Sequence, residues 1–170
     1  SLTEIEIGEN VVALSEKAFL EASKLERVIL PQGLRSIGNY AFYNCVNLKL
    51  LDMPAGLERL GDYALFGCAL TSLTFGENTA IGDFAISNCL SLTSLILPQN
   101  LTDAGESILN GSYNVAVLKM NTKFNLFRLF GTMYPQSVTT IKIHEQPYME
   151  NYYTLPERFF ENNRCIVSVE

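Results

Sequence analysis

Hydrophobic and polar positions alternate along this chain in a block that returns every 22 or 23 residues over most of its length. Each block opens with L-x-x-L-x-L, in which inward residues such as Val28 and Leu30 alternate with others, and this period of two predicts a short strand. The clear blocks begin at Leu2, Leu25, Leu48, Leu70 and Leu92, weaker ones at Val115 and Val138, and a partial one at Ile166. Such self-similarity is typical of a solenoid of stacked coils, because one coil cannot bury its own apolar edge.

The second half of each block predicts a turn that leads back to the next strand. An apolar residue followed by glycine recurs at Ile37-Gly38, Leu60-Gly61 and Ile81-Gly82, and Asn39, Asp62 and Asp83 come next. We predict that these three cap one short helical or 3₁₀ turn, because Asn and Asp are favoured at helix N-termini. The next residues should point inward: Ala41-Phe42, Ala64-Leu65 and Ala85-Ile86. One position further along holds only Asn or Gly: Asn44, Gly67, Asn88 and Gly111. We predict left-handed backbone there, because these residues accept it at the end of a helix.

The segment LPQGLRSIGNYAFYNC, residues 30–45, resembles the BspA-type (treponemal-type) leucine-rich repeat. The likeness is clear from Leu2 to about Ser112, weak from Val115 to Leu155, and returns at LPERFFENN. It implies a bacterial protein that is secreted or displayed at the cell surface, and a role as an adhesin. The resemblance brings no catalytic residues with it.

We therefore predict an α/β, mostly β solenoid: a right-handed leucine-rich repeat superhelix of about seven coils of 22–23 residues, with short parallel strands on its concave face. It forms a single domain over 1–170, with regular repeats at 2–114 and irregular, partly capping repeats at 115–170. The pattern is already present at Leu2, so we expect further residues to precede it in the complete protein.

Composition narrows the function classes. Hydrophobic residues make up 48% and charged residues 18% of the chain, which argues against disorder, and the net charge of −6 argues against nucleic-acid binding. No apolar run approaches the ~18 residues of a transmembrane helix. The single histidine, His144, cannot build a multi-histidine metal site, and no nucleophile–base pair stands out. We expect no cofactor, no bound metal and no enzymatic activity.

Three cysteines share one column of the repeat. Cys45, Cys68 and Cys89 occupy the slot that holds Ala22 and Ser112 in flanking repeats. These occupants share small size, so we predict buried reduced thiols, although cysteines on adjacent coils could reach disulfide distance. Cys165 lies outside the column and is predicted to be unpaired.

The outward positions of the opening strands form a surface that we call the strand face. It runs from acidic residues at the first coil to lysines at the last, with apolar and hydroxyl groups between. Its members are Glu4, Glu6, Arg27, Ile29, Leu50, Asp52, Ser72, Thr74, Ser94, Ile96, Val117, Lys119, Thr140 and Lys142. Such a mixture is expected of a protein-binding surface, and equally of any solvated sheet face.

Aromatic residues suggest a second site. Tyr148, Tyr152 and Tyr153 lie in an insertion, roughly residues 144–153, and function concentrates in such loops. They could form a glycan-stacking platform or fill an irregular repeat. A separate aromatic column, Tyr40, Tyr63 and Phe84, is explained by packing between coils.

The sequence therefore favours a surface-displayed or secreted protein-binding module of the adhesion type, acting through the strand face or the insertion. A host protein is one candidate partner, and the resemblance implies an extracellular or cell-surface location. Two alternatives stay open. One is a glycan-binding module that uses Tyr148–Tyr153, and the other is a passive spacer in a larger surface protein.

Overall fold

The computed structural model describes residues 2–101, 104–121, 129, 140–144 and 166–169. Short parallel strands alternate between two sides of the coil. The opening strands, which carry the strand face, are β1 (Glu4–Glu6), β3 (Arg27–Ile29), β5 (Leu50–Leu51), β7 (Ser72–Thr74), β9 (Ser94–Ile96), β10 (Val117–Asn121), β11 (Thr140–His144) and β12 (Ile166–Val169). The second side carries β2 (Ala13–Leu14), β4 (Ser36–Ile37), β6 (Arg59–Leu60) and β8 (Ala80–Ile81).

Strand register follows the sequence repeat. Ile5 pairs with Val28 and Val28 with Leu51, while on the second side Ile37 pairs with Leu60. Equivalent residues of successive coils therefore lie over one another, as the period of the sequence predicts. The architecture is a parallel-strand solenoid.

The ladder of opening strands is interrupted between β5 and β7. Strands β1, β3 and β5 form one sheet, and β7, β9, β10, β11 and β12 form another. The interruption coincides with a shortened return turn, since one residue (Ala69) separates Cys68 from Leu70 where two (Val46 and Asn47) separate Cys45 from Leu48.

The third side of the coil differs from the prediction. Within residues 2–101 and 104–121 it contains turns and no helix, so the expected helical turn is wrong. Tyr40 and Phe42 donate their N–H groups to the carbonyls of Asp62 and Ala64 in the next coil, at 2.9 and 2.8 Å. The chain satisfies its backbone between coils, and a helix would direct those bonds within one coil.

The residues predicted as helix caps act between coils as well. Asn39 Oδ1 accepts a bond from the N–H of Asp62 at 3.0 Å, Asp62 Oδ1 from Asp83 at 3.0 Å, and Asp83 Oδ1 from Glu106 at 2.8 Å. The prediction of N-caps is therefore wrong in geometry, although it identified residues whose side-chain oxygens bind backbone N–H groups. They form a ladder along the stack.

Left-handed backbone was predicted at one slot of the turn and occurs at two. The predicted slot has φ of 54° at Asn44, 73° at Gly67, 56° at Asn88 and 82° at Gly111. A second slot, which the residue types do not reveal, has φ of 57° at Tyr40, 54° at Tyr63 and 52° at Phe84. An aromatic residue in this region costs roughly 1–2 kcal/mol, which bonds and ring contacts to the next coil must offset.

The core is a stack of equivalent apolar side chains along the axis. Leu25, Leu48, Leu70 and Leu92 start their blocks and are each at most 2% exposed, and the inward pairs that open the turns are fully buried. Burying one such leucine contributes about 1.5–3 kcal/mol. The first coil is more open, with Leu2 64% and Val12 61% exposed, because the described residues cover it from one side.

The described residues contain fewer complete coils than the seven that the sequence predicts. Four coils have both strands in the described residues, and a fifth continues through a single bridge between Ile81 and Ala104. Beyond it, β10, β11 and β12 pair in parallel and in register, and the segments between them lie outside the described residues. The predicted single domain and its capping repeats stay predictions.

Candidate functional site

The strand face projects outward where its residues are described. Glu4, Glu6, Arg27, Asp52, Ser72 and Thr74 are exposed, and Ile29, Ser94 and Ile96 are half-buried. Leu50, on the edge strand β5 next to the interruption, is 56% exposed. On β10 and β11, Val117 and Thr140 continue the register of Ser94, and Lys119 and Lys142 continue that of Ile96. The predicted residues therefore follow the strand register of two sheets, with the interruption between Leu50 and Ser72.

Charged side chains make weak pairs at the first-coil end of this surface. Glu4 and Arg27 lie 3.6 Å apart, and Glu26 and Lys49 lie 4.0 Å apart, with all four side chains about half exposed. Exposed pairs of this kind contribute about 0–1 kcal/mol, so an incoming partner can replace them at small cost. A shallow depression of about 270 Å³ lies between them, bordered by Leu50.

The predicted aromatic insertion cannot be compared with the structure. Tyr148, Tyr152 and Tyr153 lie outside the described residues, as does Cys165. A glycan platform at this insertion therefore stays a prediction from the sequence.

A different aromatic surface lies on the turn side of the coil, and we call it the ring cluster: Tyr40, Tyr43, Tyr63, Phe66 and Phe84. The predicted column is confirmed, with Tyr40 stacked on Tyr63 at 5.1 Å and Tyr63 on Phe84 at 5.0 Å between ring centroids. Tyr43 stacks on Phe66 at 5.0 Å in a second column, which contacts the first through tilted pairs. The 23-residue spacing of Tyr43 and Phe66 was the signal that sequence reasoning missed.

All five rings of the cluster are half-buried, so part of each side chain remains accessible to solvent. The pKa of Tyr63 is raised, chiefly by desolvation among its neighbours and further by nearby Tyr40 and Asp83. The ring cluster is therefore an apolar surface with negative charge beside it.

A cation already occupies one end of the first column. Lys17 Nζ lies 5.8 Å from the centroid of the Tyr40 ring and 2.8 Å from Glu16 Oε1. The hydrogen bond that Lys17 donates to the Glu16 carboxylate is the main reason that the pKa of Lys17 is raised. An ammonium group can thus bind a ring and a carboxylate of this surface at once.

The cysteine column is buried, as predicted, and its thiols are free. Each thiol donates to a carbonyl of the preceding coil: Cys45 to Phe19 at 3.1 Å, Cys68 to Phe42 at 3.2 Å and Cys89 to Leu65 at 3.2 Å. Burial raises the pKa of Cys45 to about 11 and that of Cys89 to about 12, so both are protonated donors at neutral pH.

The shared property of this column is therefore more than the small size that the sequence suggested. Ser112 donates to the carbonyl of Ile86 at 2.6 Å, which reproduces the cysteine bond in the next coil. Cysteine and serine both supply a buried donor, and the carbonyls of Phe19, Phe42 and Leu65 accept it in addition to a backbone N–H. Across the described ranges, no group of three or more His, Cys, Asp or Glu residues is placed to hold a metal ion.

The repeat in the sequence, the paired parallel strands and the thiol column together point to one family, and the comparison with known families agrees. The BspA-type leucine-rich repeat region matches residues 1–116 and 43–169 in six copies. This chain belongs to that family. Among the helices of the described residues, none is long and apolar enough to cross a membrane.

Solved structures with the same fold support the architecture. A leucine-rich repeat protein from Bacteroides ovatus aligns with a TM-score of 0.68 and 24% identity over 86% of this chain. The leucine-rich repeat protein of T. pallidum aligns with a TM-score of 0.72 and 23% identity over 83% of this chain. The alignment spans 44% of the Bacteroides protein and 72% of the treponemal one. A comparison with curated proteins gives no match.

Proposed function

We propose that this BspA-type chain is a protein-binding module that acts through the strand face, at the cell surface or after secretion. The observation that carries the proposal is the apolar side chains on that face, where the exposed Leu50 and the half-buried Ile29 of one sheet and the half-buried Ile96 of the other lie among charged and hydroxyl groups. Protein interfaces combine an apolar core with a polar rim. The described fold is an interaction or structural scaffold, and its family supports the first of these roles.

Surface display and adhesion are supported by the family. We propose an extracellular or cell-surface location and a protein partner, with a host protein as one candidate. The prediction that the chain is not an enzyme is supported by its membership in a repeat family.

The experiment compares two matched double variants. Leu50→Lys with Ile96→Lys places two charges on the strand face, and Val46→Lys with Leu90→Lys places two on exposed apolar sites of the return turn, where the wild-type residues are 51% and 60% exposed. Each protein is tested for binding to immobilised host matrix proteins. We expect the strand-face variant to lose at least about tenfold in affinity, because charges in an interface core are costly, and the return-turn variant to bind as the wild type does.

The outcomes separate the three roles. Equal binding by both variants and the wild type would exclude the strand face. Loss of binding only in a Tyr148→Ala, Tyr152→Ala, Tyr153→Ala variant would favour the insertion, and a chitooligosaccharide that competes there would favour the glycan alternative. Absence of any binding would favour a passive spacer.

A further inference from the structure

The strand face is divided at one step of the stack, between β5 and β7, and we call this division the seam. At other steps a backbone bond leads into the opening strand: the N–H of Lys49 donates to the carbonyl of Glu26, and that of Thr93 to the carbonyl of Thr71, both at 2.9 Å. Among the described residues, no such bond joins the N–H of Thr71 to the carbonyl of Lys49. The seam is therefore a break in backbone hydrogen bonding as well as in strand pairing.

The two coils that meet at the seam are joined on their other two sides. On the side of the second strands, β6 and β8 pair in parallel, with Leu60 opposite Ile81. On the turn side, the N–H of Leu65 donates to the carbonyl of Ala85 at 2.8 Å. Two bodies that are attached along one side and separated along the opposite side can rotate about the attached side.

A close contact fixes one end of the seam. Gly76 lies two residues after β7, and a Cβ added there would overlap the carbonyl oxygen of Ala55 in the preceding coil. The coils therefore touch directly after the strands. The missing backbone bond lies at the other end, where Lys49 and Thr71 precede β5 and β7.

The core beneath the seam remains packed. Leu51 and Leu73, the inward residues of β5 and β7, are both buried. Apolar contacts have no directional requirement, so they tolerate a small rotation, whereas backbone hydrogen bonds weaken steeply when their angles change. The seam is therefore a step at which the solenoid can bend without breaking strand hydrogen bonds on the strand side.

We propose that the seam is a hinge. The three coils before it rotate about the β6–β8 side relative to the coils after it, and the rotation changes the separation of Leu50 and Ser72 on the strand face. The inference rests on the proposed function, because the surface whose shape changes is the protein-binding face proposed above. A partner that contacts both parts of this face binds one hinge angle more tightly than the others, and so selects it.

The test introduces a pair of cysteines across the seam, Leu50→Cys with Ser72→Cys, at two exposed positions of the strand face. The controls are Arg27→Cys with Leu50→Cys and Ser72→Cys with Ser94→Cys, which join partner residues of paired strands. All three carry Cys165→Ser. Equilibration with glutathione measures the effective concentration of one thiol at the other. We expect the seam pair to form its disulfide with an effective concentration at least about tenfold below that of both controls, because only the closed hinge satisfies disulfide geometry.

Two results of this measurement would overturn the hinge. An effective concentration equal to that of the controls would mean that the seam is held closed like a paired ladder. Absence of the seam disulfide, in conditions where both controls form theirs, would mean that the seam is held open.

The second measurement asks whether the hinge angle affects binding. The oxidised and reduced forms of the seam variant are compared for binding to the immobilised host matrix proteins, so that each form has the same two substitutions. We expect the locked form to differ in affinity by at least about threefold, and the two forms of the Ser72→Cys with Ser94→Cys control to bind equally. Equal binding by both forms of the seam variant would overturn the role of the hinge in binding. The thiol equilibrium needs no partner, so it decides the hinge even if the proposed binding function fails.

Discussion

The carboxylate of Asp62 accepts a hydrogen bond from the backbone N–H of Asp83 at 3.0 Å, 21 residues further along the chain. The bond joins equivalent residues of adjacent coils. The N–H of Asp62 is itself bound by Asn39 Oδ1 at 3.0 Å, so each step of the ladder both donates and accepts. These side chains connect the coils where no strand ladder exists.

This ladder gives a first prediction. Asp62→Ala removes the acceptor of the Asp83 N–H, and we expect the free energy of unfolding to fall by about 1 kcal/mol. Asp62→Asn keeps an acceptor, as Asn39 shows, and should lie close to the wild type. Urea unfolding of the three proteins measures the difference. Equal stability of Asp62→Ala and Asp62→Asn would show that the bond contributes nothing.

A second prediction concerns the glycine that precedes each step of the ladder. A Cβ at Gly82 would lie 2.7 Å from the backbone nitrogen of Asp62 and 2.8 Å from the carbonyl carbon of Gly61, closer than packed atoms can approach. Gly82→Ala should therefore separate the coils and cost about 1–3 kcal/mol in thermal or urea unfolding. Gly8→Ala is the matched control, because nothing lies within 4 Å of its added Cβ. Similar losses in both variants would contradict the close approach of the coils.

The cysteine column provides a third prediction. Cys68→Ala removes the thiol that donates to the carbonyl of Phe42, which keeps its bond from the N–H of Cys45 at 3.1 Å, and we expect a loss of about 0.5–1.5 kcal/mol. Cys68→Ser keeps a donor, as Ser112 does at its own position, and should be destabilised less than Cys68→Ala. Urea unfolding under reducing conditions ranks the variants. If Cys68→Ser were less stable than Cys68→Ala, the position would require only a small apolar side chain and no donor.

A fourth prediction follows from the raised pKa of these thiols. Cys89 ionises near its ordinary value of 9.0 in the unfolded chain and at about 12 in the folded one. The unfolded state therefore releases its proton first, and the stability contributed by this group is complete below pH 9 and is lost progressively as the pH rises toward 12. The slope from each such thiol is at most about 1.4 kcal/mol per pH unit.

Equilibrium unfolding between pH 8 and about pH 10.5 would measure this effect. Tyrosine and lysine also begin to titrate over this range, so the comparison is with Cys89→Ser, whose stability should fall less steeply. Parallel pH profiles for the two proteins would show that Cys89 is not buried as a protonated thiol.

Much of this fold could be predicted because a repeat constrains it at every column. The alternation around Val28 and Leu30 determined which strand residues face the core, and the recurrence of the block predicted that they stack. The same alternation predicted the outward set of the strand face. Residue type also signalled the left-handed backbone at Asn44 and Gly67, because those residues tolerate it.

Other features escaped prediction because they exist only between coils. Asp62 has the residue type of a helix cap, and only the neighbouring coil makes its partner the N–H of Asp83. Left-handed backbone at Tyr40 contradicts its residue type and is offset by the bond and ring contact to the next coil. The interruption after Leu51 coincides with a turn that is one residue shorter, and the sequence alone does not indicate that the two strands are unpaired there.

The amino-acid order by itself determined the repeating coil, the buried columns and the residues that face outward, since local periodicity decides which side chains can share a face. Only the tertiary structure decided what each column bonds to: cysteine thiols to carbonyls, carboxylates to backbone N–H groups, and rings to rings. Those contacts join residues about 20 to 26 positions apart, so they form only when the coils are stacked.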